Sequence, residues 1–163
     1  MKLLGSLRRI DETKGVVRVE DLYHTDIEDL WDAVTNPDRL ARWIATVPDD
    51  IQKGNEFNAS FTSGFEGRCR IEVCERPHRL LVTAWDPETG DASTIEAQLA
   101  RAVDGTHLVI EESGVPVEQL AGYGAGWQVH AEDLAGHVAG KDRDEDPARW
   151  REMAARYRAA DVA

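Results

Sequence analysis

Between Asn55 and Glu112 the sequence repeats with a period of two, and this alternation limits the possible folds more than any other feature of the chain. Turn signals interrupt it at short intervals: Ser63-Gly64, Arg76-Pro77, the stretch from Pro87 to Asp91, and Asp104-Gly105. In the first run Phe57, Ala59 and Phe61 lie opposite Glu56, Asn58 and Ser60. The second sets Phe65, Cys69, Ile71 and Val73 against Arg68, Arg70 and Glu72. Leu80 to Trp85 is apolar on both sides, which leaves its orientation open. The fourth run opposes Ile95, Ala97 and Leu99 to Thr94, Glu96 and Gln98, and the last contains Leu108 to Glu112. Five successive strands with hairpin-length links predict an antiparallel meander, apolar on one face and wetted on the other. The apolar face needs a cover.

The stretch from Leu120 to Gly140 can supply it. Leu120, Tyr123 or Gly124, Trp127, Ala131, Leu134 and Val138 recur every three or four residues, with Gln128, Glu132, Asp133 and His137 away from the centre of the stripe. Gly122, Gly124 and Gly126 superficially suggest a phosphate loop. Pro116 to Ala121 separates them from the preceding strand, so the strand-to-turn context of such a loop is missing. Glycine costs a helix about 1 kcal/mol relative to alanine, and the expected compensation is space: close approach to the sheet, or room beside it.

Ahead of the meander, Gly15 to Thr25 reads as a strand, with Val17, Val19 and Asp21 on one face. Thr25-Asp26-Ile27-Glu28 has the form of a capping box. Ile27, Leu30, Trp31 and Val34 then define an amphipathic helix that stops at Asn36-Pro37. Asn36 caps a second short helix whose apolar face is Leu40, Trp43 and Ile44. Behind the long helix, Asp146-Pro147 opens a terminal helix with Trp150, Met153, Ala154 and Tyr157 on one side, for packing on its own domain or for a dimer contact; monomer and homodimer both stay open. The expected organisation is an N-terminal segment (1–14), one domain (15–140), and a linker with a C-terminal helix (141–163).

A chain of 163 residues with 42% apolar and 31% charged residues suits one globular domain. No apolar run approaches the roughly 20 residues that span a bilayer, and the first residues do not resemble a secretory signal, so the expected location is cytoplasmic, without membrane insertion. The net charge is -12, and residues 15–139 hold 9 Lys and Arg against 23 Asp and Glu. Such a body repels phosphate backbones, which excludes nucleic acid as the expected partner. Cys69 and Cys74, five apart in one predicted strand, should point to opposite faces and neither bridge nor share a metal while the strand is regular.

At "NPDRLARWI", "ERPHRLLVTAWDP" and "YGAGWQVHAEDLAGHV" the sequence resembles the SRPBCC superfamily, the START or birch-pollen-allergen-like group, and within it the AHSA-type domains related to the activator of the heat-shock-protein-ninety ATPase. The resemblance implies an α+β helix-grip fold: a curved antiparallel sheet wrapped around a long C-terminal helix, with two short helices after the first strand. It also implies an interior cavity for a hydrophobic small molecule, of lipid, polyketide or flavonoid kind. Relatives of this type include ligand carriers, cyclases or dehydratases, and chaperone ATPase activators with a stress-response role. A heat-shock chaperone is therefore the alternative partner, and a cyclase-like or dehydratase-like enzyme the third reading.

The residues expected to line the interior are Trp43, Phe57, Phe61, Phe65, Ile71, Trp85, Tyr123, Trp127 and Leu134, either filling a core or bounding a cavity. His130 borders the helix stripe and is the candidate to orient a polar group of the ligand. Glu112 is the only candidate acid or base: if Leu108 and Ile110 face inward, strand parity carries Glu112 with them, and otherwise it sits at the wet end of its strand. His130 and His137 are seven apart and lack the i, i+4 spacing of a helical zinc pair, and neither cysteine lies in a metal or nucleophile motif. Neither a metal nor a cofactor is expected.

Overall fold

In the computed structural model, which describes residues 2–163, the meander forms the centre of one eight-stranded antiparallel sheet. The strands are β1 (Gly5–Arg9), β2 (Lys14–Tyr23), β3 (Ala45–Thr46), β4 (Glu56–Phe61), β5 (Glu66–Glu75), β6 (Arg79–Trp85), β7 (Ala92–Ala102) and β8 (Gly105–Pro116). The spatial order is β1-β2-β8-β7-β6-β5-β4-β3, so the five strands from β4 to β8 pair consecutively, as their hairpin-length links require. Helices α1 (Ile27–Thr35) and α2 (Pro37–Trp43) connect β2 to β3, and α3 (Leu120–Val138) follows a single 3-10 turn after β8. The terminal helix α4 is Pro147–Arg158. The sheet curves around α3, giving the α+β helix-grip architecture.

The apolar stripes account for this packing. Val17 and Val19 of β2, Leu108 and Ile110 of β8, and Leu99 of β7 are buried on the inner face, where Leu134 and Trp127 of α3 join them. The Tyr23 hydroxyl donates to the Ala131 carbonyl across 3.1 Å, tying β2 to the middle of α3. Trp43 is buried with its indole N–H on the Ala33 carbonyl, which locks α2 against α1. Asn36 caps α2 through Asp38 N–H.

Four local features depart from the sequence expectation. The N-cap of α1 is Asp26, whose carboxylate accepts from Asp29 N–H at 2.8 Å, while Thr25 binds the Asp29 side chain instead. Glu28 points out to Arg76 rather than back to the cap. A carboxylate in the cap position also suits the positive end of the helix dipole.

Residues Gly5–Arg9 form a strand on the outside of β2, although the opening segment carries no alternation that would announce one. Gly5 has no room for a side chain there, because a Cβ would lie 2.6 Å from the Tyr157 hydroxyl and 2.9 Å from Val19.

In β5, Ile71 faces Val82 but Val73 faces Leu81, so one extra residue is accommodated between them. This bulge resets the alternation. Cys69 and Cys74 therefore oppose Ala84 and Leu80, both on the buried face, and the two thiols share a face after all. Both cysteines are free, and burial pushes the Cys69 thiol up to about 11.

Finally, α3 is covered on two sides. Its inner stripe meets the sheet, while α4 and β1 cover part of the opposite side, burying Gln128 and Asp133 that the stripe alone would leave outside. The glycines serve this second contact. A Cβ on Gly124 would lie 2.7 Å from the Tyr157 ring, and Gly122 and Gly126 pass beneath Trp150 at 3.7 and 4.0 Å.

Candidate functional site

Between the open end of the sheet and the N-terminal half of α3 lies a cleft of about 1010 Å³. Strands β6, β7 and β8, with the end of β4 and the loop after it, supply one wall and α3 another, and α4 with its linker bounds the outer side. The most informative wall residue is Glu112. Parity places it on the inner face of β8 with Leu108 and Ile110, and only 6% of its surface is exposed. Its Oε1 accepts the Trp127 indole N–H at 2.7 Å and its Oε2 accepts the Ser93 hydroxyl at 2.6 Å. Burial raises its pKa above the ordinary carboxylate range, and the two donated hydrogen bonds work in the opposite direction.

Two further polar side chains, both from α3, border the cleft. The Tyr123 hydroxyl is pushed up first by burial and then by the negative charges of Glu112, Asp86 and Asp91. His130 is buried, which lowers its pKa to about 4 and keeps the imidazole neutral at neutral pH. Its ring meets that of Trp127 edge-on, with centroids 5.8 Å apart, and its Nδ1 has no hydrogen-bond partner. On the α4 side the Arg149 guanidinium binds Asp133 at 2.7 Å and Glu132 at 3.0 Å, bridging α4 to α3 beside the cleft.

Of the residues expected inside, Phe61, Phe65, Trp85, Tyr123, Trp127 and His130 border the cleft. Phe61 and Phe65 form a tilted pair with centroids 5.9 Å apart, and Phe65 is 41% exposed rather than interior. Trp85 follows the buried Ala84, so parity turns it to the outer face of β6, where Arg70 lies 5.4 Å from its ring centroid. Trp43, Phe57, Ile71 and Leu134 are buried in the core and do not border the cleft. Glu112 takes the inward of its two alternatives. Ser93 is not among the residues expected from the sequence, although its parity with Ile95, Ala97 and Leu99 is a signal that places it on the inner face. Asp133 and Arg149 carry no such signal, since their pairing depends on where α4 docks.

Among the described residues no group of three or more His, Cys, Asp or Glu side chains is placed to hold a metal ion. His137 is engaged elsewhere, its Nε2 accepting from Arg39 Nε at 3.0 Å. What the cleft offers chemically is an aromatic surface, the buried carboxylates of Glu112 and of Asp133, the latter paired with Arg149, the hydroxyls of Ser93 and Tyr123, and a neutral imidazole. Such a set can orient a ring compound and hold a proton at Glu112.

Solved structures share this fold. CalU16 from Micromonospora echinospora superposes with a TM-score of 0.75 at 24% identity, covering 95% of this chain and 94% of that one. DynU16, a protein of the dynemicin biosynthetic locus, gives 0.74 at 25% identity over 80% of this chain, and the match spans only 50% of DynU16. Protein MLL2253 from Mesorhizobium loti gives 0.70 at 28% identity, covering 78% of this chain and 98% of that one. None of the curated proteins compared with the chain matches it. The model of one family, described as activator of Hsp90 ATPase homolog 1-like protein, matches residues 24–139, from the end of β2 to just beyond α3. With that span and the helix-grip architecture, the chain belongs to the activator of Hsp90 ATPase homolog 1-like family, an AHSA-type branch of the SRPBCC superfamily.

Proposed function

We propose that the protein binds a hydrophobic, ring-bearing small molecule in the cleft between the sheet and α3. The observation that carries this reading is the buried Glu112–Trp127 pair in the wall of an aromatic-bordered cleft of about 1010 Å³. Ligand sites of this kind are largely apolar concavities of roughly 300–1,000 Å³ with a few fixed polar groups. Trp127 gives the ligand a flat face, Glu112 fixes the orientation of its indole, Ser93 adds a polar point on the sheet wall, and Tyr123 and His130 add polar points on the α3 wall. DynU16 belongs to the dynemicin biosynthetic locus, and this setting supports a small organic ligand here.

The test is a titration of the purified protein with flavonoids, fatty acids and aromatic polyketides, followed by tryptophan emission and by calorimetry. Saturable binding of at least one class is expected, weakened about tenfold or more in Trp127→Ala, since removal of an aromatic anchor at a binding site typically costs 2 kcal/mol or more. If no compound binds, and the protein instead changes the ATPase rate of a purified heat-shock chaperone, the surface-interaction reading suggested by the family description replaces this one.

A further inference from the structure

The cleft is electrically lopsided. Its arginines, Arg143, Arg149, Arg151 and Arg158, all come from α4 and the linker before it. Arg149 is committed to Glu132 and Asp133, and Arg143 to Glu145. Among the described residues, no cation acts on Glu112. The Glu112 carboxylate meets only the neutral donors of Ser93 and Trp127, and Tyr123 beside it feels the negative charges of Glu112, Asp86 and Asp91. A carboxylate taken out of water without a counter-charge is costly, and replacing it with an apolar residue of similar size would ordinarily be neutral or better for folding. The aromatic faces of Trp127 and Tyr123 at the same end are the surfaces that attract a cation electrostatically. His130, also on α3, is buried with an unpartnered Nδ1 and feels the positive charges of Arg143 and Arg149.

We propose that the ligand is a hydrophobic amine, its ring system lying along Trp127 and its ammonium group paired with Glu112. This assignment rests on the cleft being a ligand site and adds the charge class of the occupant. The ammonium completes the coordination that Ser93 and Trp127 leave open, since a carboxylate can accept about four hydrogen bonds and here accepts two. An anionic ligand is excluded from this end by the same charges. The carboxylate of a fatty acid would have to turn toward the arginines of α4.

The experiment uses the intact chain and three probes that differ in one group: 2-naphthylmethylamine, 2-naphthylmethanol and 2-naphthoate, titrated by calorimetry. The expected result is amine binding about tenfold or more tighter than the alcohol, as a charge-assisted hydrogen bond predicts, with the naphthoate weakest. In Glu112→Gln the amine and the alcohol should bind equally, while Asp86→Asn with Asp91→Asn should keep most of the preference. Equal binding of amine and alcohol to the unaltered protein overturns the amine assignment and leaves the ligand site standing. Failure of both probes, together with failure of the polyketide and flavonoid panel, overturns the site itself. Should Glu112→Gln not fold, the preference is measured at about 0.5 M salt, where attraction to exposed carboxylates is screened. Its survival there supports the buried pair, and its disappearance overturns it.

Discussion

The Tyr157 hydroxyl donates to Gln128 Oε1 across 2.6 Å, and through this contact α4 is fastened to the side of α3 that faces away from the sheet. Gln128 is fully buried; its Oε1 also accepts from Leu4 N–H, and its Nε2 donates to the Lys2 carbonyl and to Glu132 Oε2. The tyrosine oxygen also accepts from Gly5 N–H at 3.0 Å. Tyr157→Phe deletes both hydrogen bonds while keeping the ring. The expected loss is about 1–3 kcal/mol, because buried groups are left short of partners. Chemical denaturation should show a lower midpoint with an unchanged slope.

The three glycines at the start of α3 should respond differently to alanine. At Gly124 the new methyl group meets a buried aromatic ring at 2.7 Å and Leu7 at 3.1 Å, so overpacking should cost about 1–3 kcal/mol. Gly122 and Gly126 have nearest neighbours at 3.7 and 4.0 Å, so alanine there should gain up to about 1 kcal/mol of helix propensity. Melting temperatures of the three single variants check the pattern, and a Gly124→Ala protein as stable as its siblings would contradict the packing described here.

Stability should carry a pH signature from Glu112. Its folded pKa lies above the ordinary value because of burial, so between the unfolded and folded pKa values the native state binds the extra proton. That contribution favours folding at low pH and is lost as the pH rises through the folded value. Glu112→Gln, which never ionises, should therefore gain on the unaltered protein as the pH rises. The difference in melting temperature between the two proteins, taken at about pH 4 and about pH 8, should move in the variant's favour at the higher pH.

Arg149 supplies the counter-charge for Asp133, whose side chain is only 4% exposed. Arg149→Ala should cost about 3 kcal/mol, since removing one member of a buried pair strands the other. Adding Asp133→Leu to that variant should restore much of the loss. Hydrogen exchange across residues 147–158 distinguishes this from a general weakening of the fold, because the loss should concentrate in α4.

The sequence made the meander legible because alternation and turn residues reinforce each other from Asn55 to Glu112, and it made α1, α2 and α3 legible through helical spacing. What it could not show were effects that depend on a neighbour. The bulge in β5 leaves no mark in composition, yet it decides which way Cys74 points. Trp85 reads as an inward aromatic until the burial of Ala84 fixes the parity of β6. Gln128 and Asp133 look like solvent residues because a single-helix stripe assumes one covered side, whereas α4 and β1 cover another. At the site, Glu112 was visible through parity, while its two donors belong to β7 and α3 and become its partners only once the sheet closes on the helix.

The pairing at the outer margin of the sheet has one more effect. Val162 bridges to Leu7 in parallel, Arg9 N–H donates to the Ala163 carbonyl, and Ala163 N–H donates to the Leu7 carbonyl. The last residues thus act as a short ninth rung that occupies backbone groups β1 would otherwise present to solvent. An unoccupied edge of that kind is a template on which foreign strands assemble, and these contacts remove part of that template while joining β1 to the segment beyond α4.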